Sequence, residues 1–142
     1  MRLNRSRLVV AAVTIGSVSI LALAPSVSAS TPQASFSLAK TCDGLGTCTV
    51  VTSNAAALPP GTTETYLGPQ FGDPVLSSRV VINTPYSGGG TATGHCTWPL
   101  RTASGTCTFA AGTGSLSEFH ANLTVTASAD FSLFFWDGTY RL

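Results

Sequence analysis

The sequence predicts an all-β domain of eight or nine short antiparallel strands. Three observations carry that prediction. Ser, Thr and Gly dominate the chain after residue 30, and β-branched and aromatic residues recur there in short runs. Glycine and proline punctuate those runs every eight to twelve residues or so, the spacing of an all-β sandwich or barrel. The longest regular stretch, Ser117–Ala127, alternates apolar and polar residues with the period of a strand.

A different kind of segment precedes the strands. Arg2, Arg5 and Arg7 form a basic head, Leu8 to Ala24 an apolar middle, and Pro25 leads into the small residues Ser26–Ser30. This is the layout of a secretory signal peptide, with cleavage expected after Ala29. The apolar run is short for a membrane span of about 20 residues, and a proline ends it. Residues 1–29 are therefore expected to be the signal, and residues 30–142 one secreted, extracellular domain.

The strands then follow in order. They are expected at Phe36–Thr41, Cys48–Ser53, Thr62–Leu67, Ser78–Asn83, Thr93–Leu100, Thr106–Ala110, Ser117–Ala127, Phe131–Trp136 and Thr139–Leu142. Asp43-Gly44 turns the chain between the first two, and Pro59-Pro60-Gly61 leads into the third. Gly72-Asp73-Pro74 precedes the fourth, and Pro85 with Gly88-Gly89-Gly90 the fifth. Asp137-Gly138 is the signal of a tight final hairpin. In Ser117–Ala127, Phe119, Ala121, Leu123, Val125 and Ala127 share one face, and Glu118, His120, Asn122, Thr124 and Thr126 the other. So many short strands must either close into a barrel or stack as an immunoglobulin-like sandwich.

Four cysteines, Cys42, Cys48, Cys96 and Cys107, accompany the export signal, which makes disulfides the default. Three pairings are open, and spacing favours nearest neighbours, Cys42 with Cys48 and Cys96 with Cys107. Neither spacing suits zinc, so no metal or other cofactor is expected. Once the signal is removed, Lys40, Arg79, Arg101 and Arg141 face six acidic residues. That balance supplies no basic field for nucleic acid and no electrostatic attraction to a membrane surface.

The stretch Ala111-Gly112-Thr113-Gly114-Ser115 invites comparison with a phosphate-binding loop. A P-loop requires a lysine in the turn, and the only lysine here is Lys40. A dinucleotide fingerprint requires a third glycine and a following helix, whereas position 117 is Ser and a strand pattern follows. The glycines therefore mark a bend between strands. Thr108-Phe109-Ala110-Ala111-Gly112-Thr113-Gly114-Ser115 and the alternating strand after it resemble the Gly-Gly-Thr-Gly signature of the dirigent and allene oxide cyclase barrel superfamily, with Ala111 in place of the first glycine. Trp136-Asp137-Gly138-Thr139-Tyr140 resembles the end of small secreted actinobacterial proteins of this barrel type. The resemblance covers roughly the C-terminal third. It implies a single eight-stranded antiparallel barrel, often oligomeric, with an apolar lumen that steers a reactive apolar molecule through one cyclisation or isomerisation.

No strong catalytic constellation stands out. Glu118 and His120, two residues apart on one strand face, are the candidate acid–base pair, against the commoner fate of an exposed polar face. Trp98, Phe134 and Trp136 are candidate lumen aromatics, and Arg79 and Tyr140 candidate polar lumen groups. His95, beside Cys96, is expected at the surface. Phe131, Leu133 and Phe135 fall on one face of a strand and Phe134 and Trp136 on the other, which suggests a filled lumen or a contact between copies of the chain. The leading expectation is a secreted barrel that holds a small apolar molecule. The rival is a non-enzymatic structural, adhesive or inhibitor protein acting through its surface.

Overall fold

The computed structural model describes residues 32–72, 75–86, 88–99 and 101–142. The expected signal peptide lies outside them. Eight strands run in chain order: β1 Ala34–Cys42, β2 Thr47–Ser53, β3 Thr63–Gly72, β4 Val75–Asn83, β5 Thr91–Pro99, β6 Ser104–Gly112, β7 His120–Ala127 and β8 Phe134–Arg141. Each pairs antiparallel with its neighbours, and β8 pairs back onto β1 to close the barrel. Closure leaves no sheet edge and gives every strand an inner and an outer face.

Alternation decides which residues fill the inside. In β1, Phe36, Leu38 and Lys40 are buried while Ser35 and Ser37 are exposed. In β7, Ala121, Leu123 and Val125 are buried between exposed Asn122 and Thr124. Both disulfides form between cysteines opposite one another in register, Cys42–Cys48 across β1 and β2 and Cys96–Cys107 across β5 and β6. They are consistent with an extracellular protein. No helix among the described residues is long and apolar enough to cross a membrane.

Two expected boundaries are corrected. The strand expected from Ser117 begins at His120, because a short 3-10 turn, Gly114–Leu116, precedes it. Gly114 takes φ 55°, which an L side chain resists, and Leu116 then drops fully into the interior. The hairpin expected at Asp137-Gly138 is also absent: both residues lie inside β8, paired to β1 on one side and β7 on the other. Gly138 is needed there for space, since a Cβ would collide with the Asn122 carbonyl. The chain reverses earlier instead, at residues 128–133. There the Asp130 carboxylate accepts from the Ser132 backbone N–H at 3.1 Å and from the Ser128 and Ser132 hydroxyls at 2.6 and 2.8 Å.

The connections divide between the two ends of the barrel. One end carries the β2–β3, β4–β5 and β6–β7 loops, and Ala55, Leu58, Leu116 and Phe119 from these loops are buried. Phe119 stacks at 5.9 Å on Phe109 and 6.0 Å on Tyr140, and Tyr140 meets Phe36 edge-on at 5.7 Å. This end is sealed. The other end carries the tighter β1–β2 turn and the β3–β4, β5–β6 and β7–β8 connections, and here the lumen stays open.

Candidate functional site

The open end leads into a cavity of about 580 Å³. Leu76 of β4, Trp98 of β5, Val125 of β7 and Phe134 of β8 supply apolar walls, and the Gly44–Gly46 turn forms part of the rim. Every one of these lining residues is uncharged. Trp98 and Phe134 meet edge to face at 6.2 Å, and the Trp98 indole N–H donates to the Thr102 carbonyl at 3.1 Å, which ties the ring to the β5–β6 loop. Behind this pair lies a second cleft of about 440 Å³, lined in part by Phe131. At the rim, Leu45 is 92 % exposed.

Two polar side chains face the cavity deeper in. Ser78 is buried, and its hydroxyl donates to backbone carbonyls of β3 and β4. Tyr66 of β3 is the more informative. Its hydroxyl accepts a hydrogen bond from Lys40 Nζ at 2.8 Å. Lys40 also forms an ion pair with Glu64 Oε2, and both side chains are essentially inaccessible. The ammonium lies 3.5 Å above the centre of the Trp136 ring, a desolvated cation–π contact. The polar cluster therefore sits in the middle of the barrel, between the sealed end and the cavity, with Tyr66 as its link to the cavity.

Burial sets the electrostatics of this cluster. It pulls Lys40 down to about 8, against the attraction of Glu64, which favours the charged amine. It pushes the Glu64 carboxyl up, with Lys40 pulling back. Burial and the Glu64 charge together push the Tyr66 phenol up, so Tyr66 keeps its proton. A Tyr hydroxyl that has accepted one hydrogen bond still has its own proton to give. Glu64 Oε1 and Trp136 Nε1 are buried with no hydrogen-bond partner. The Trp136 N–H lies near the Tyr66 hydroxyl and slightly favours the phenolate, yet completes no hydrogen bond. An acceptor, a donor and a phenolic proton are thus unspent within one cluster.

The structure distributes the sequence-derived candidates unevenly. Trp98 and Phe134 line the cavity. Trp136 is fully buried beneath it, under the Lys40 ammonium. Tyr140 packs at the sealed end. Arg79 is exposed on β4, on the outer face, and the basic group found inside the lumen among the described residues is Lys40 instead. His95 is exposed, and its Nε2 hydrogen-bonds Ser77 Oγ at 2.8 Å. Glu118 is exposed ahead of β7 and His120 half-buried at its first position, with no hydrogen bond between them; His120 borders a separate cleft shared with Asn122 and Arg141. Sequence reasoning missed Lys40, Glu64 and Tyr66. The signal was present: Phe36, Leu38 and Lys40 alternate on one face of β1, as do Thr62, Glu64 and Tyr66 around β3.

No family model matches this sequence, and no curated protein or solved structure matches it either.

Proposed function

We propose that this chain is a secreted barrel that binds one small, largely apolar molecule in the cavity at its open end. The single observation that carries the proposal is that cavity: about 580 Å³, walled by Leu76, Trp98, Val125 and Phe134, with Tyr66 among its lining residues. The volume falls within the roughly 300–1,000 Å³ of small-molecule sites, and an eight-stranded barrel has room for one small ligand. The resemblance to the dirigent and allene oxide cyclase barrels extends the proposal to chemistry. A rigid apolar mould would hold a flexible substrate in one folded conformer and so favour one cyclisation or isomerisation product.

Trp98 lies in the wall and reports occupancy. Titration with a panel of terpenoid and fatty-acid-like compounds is expected to shift tryptophan emission saturably, and Trp98→Ala is expected to abolish binding with the fold retained. An unchanged spectrum across the panel, with equilibrium dialysis also showing no uptake, would reject the binding site and favour a protein acting through its surface.

A further inference from the structure

We infer that the ligand is a neutral molecule carrying one hydrogen-bond-accepting oxygen, a ketone, aldehyde or ester on an apolar body, and that this oxygen docks on the Tyr66 hydroxyl. The inference rests on the cavity proposed above as the ligand site and specifies its ligand. Three observations support it.

Tyr66 faces the cavity, and its oxygen already accepts from Lys40 at 2.8 Å. Its remaining hydrogen-bonding capacity toward a ligand is chiefly that of a donor, made stronger by the ammonium behind it. Among the described residues its proton is given to no acceptor; the unpartnered Glu64 Oε1 of the cluster makes no hydrogen bond with it. Tyr66 is half-buried beside apolar walls, so a ligand acceptor is the complementary partner for its free donor. The lining hydroxyls of Ser78 and Thr97 are already engaged, Ser78 with backbone carbonyls and Thr97 with the Thr106 hydroxyl at 3.1 Å.

The second observation is charge. The cavity lining contains no ionisable acid or base other than the protonated Tyr66 phenol, and the one nearby cation is neutralised by Glu64. A carboxylate ligand would enter an apolar, water-poor site with no unpaired counter-ion, and would meet Glu64 as a like charge. That arrangement disfavours a free fatty acid. The third observation is shape: the walls are apolar, so only one end of the ligand can be polar.

Three naphthalenes of similar shape test this: 2-acetylnaphthalene, 2-isopropenylnaphthalene and 2-naphthoate. Equilibrium dialysis at neutral pH is run on the wild-type protein and on Tyr66→Phe, with melting curves to establish that the variant is folded. The substitution is expected to weaken the ketone by about tenfold, the worth of one hydrogen bond, and to leave the alkene within about twofold. Naphthoate is expected to bind the wild type more weakly than the ketone. A readout without any variant is the infrared carbonyl stretch of wild-type-bound 2-acetylnaphthalene, expected to fall below its value in hydrocarbon solvent. Equal effects of Tyr66→Phe on ketone and alkene, an unshifted carbonyl stretch, or preferential binding of naphthoate would each overturn the inference while leaving the cavity as a binding site. Failure of all three compounds to bind would overturn the cavity proposal and this inference with it.

Discussion

The two ends of the barrel are built from the same eight strands and the same alternation, yet one is sealed and the other open. The difference lies in the connections. At the sealed end, loops bring in Ala55, Leu58, Leu116 and Phe119, which complete an aromatic core with Phe36, Phe109 and Tyr140. At the open end, the β1–β2 turn spans only residues 43–46, and Asp43 hydrogen-bonds the backbone N–H groups of Leu45 and Thr47 rather than leaving any side chain to fill the lumen. The strands fix the diameter; the loops decide which half becomes core and which becomes cavity. Stability should therefore reside at one end and binding at the other.

The largest expected effect is at the sealed end. Phe119→Ala should cost about 3–5 kcal/mol in chemical denaturation, the range for removing a core aromatic. Trp98→Ala, a larger truncation at the open end, should cost under about 2 kcal/mol, because its ring is only half buried. Equal losses would break the division between the ends.

The cluster between the ends sharpens the comparison. Lys40→Met leaves Glu64 buried without its partner and should also cost about 3–5 kcal/mol. The double variant Lys40→Met/Glu64→Leu should recover most of that loss, since an apolar pair of similar volume suits the site. The same cluster predicts a pH dependence. Lys40 titrates near 8 in the fold against an ordinary 10.5, so the folded state holds fewer protons than the unfolded chain between those values. Its contribution makes stability rise with pH from about 8 to 10. Tyr66, held protonated, opposes that rise above its ordinary 10.0, because its contribution is lost as pH increases. Thermal melting across this window should show the rise in wild type and a flatter profile in the Lys40→Met/Glu64→Leu variant.

The smallest effect concerns the rim. Phe131 is 66 % exposed and held at φ 55°, a conformation that costs a non-glycine residue of order 1 kcal/mol. Phe131→Gly should raise stability by up to about 1 kcal/mol in urea, the reverse of the change at Phe119.

Much of this architecture was legible in the sequence. Alternation in the stretch Ser117–Ala127, glycine and proline spacing, and the four cysteines led to an all-β, disulfide-stapled fold, whereas closure rests on the pairing of β8 with β1, which strand count alone does not choose over a sandwich. Local turn chemistry misled at Asp137-Gly138, because that glycine answers a neighbouring strand rather than a reversal of its own. The polar cluster was only half legible. Position placed Lys40 on the apolar face of β1, but its meeting with Glu64 depends on the irregularity between Ala39 and Lys40 and on the registers of three strands, which no local pattern contains. Trp98 and Phe134 were legible as aromatics, whereas their place at the cavity follows from which end the loops leave open.

The central claim is tested most directly by native mass spectrometry of the protein purified from its native source without detergent or organic solvent, before and after incubation with 2-acetylnaphthalene. The expected result is a one-to-one complex with a small neutral molecule, displaced or supplemented by the ketone and lost in Trp98→Ala. A chain mass carrying two disulfides and no adduct, unchanged by the ketone, would contradict the claim that the open end is a ligand site.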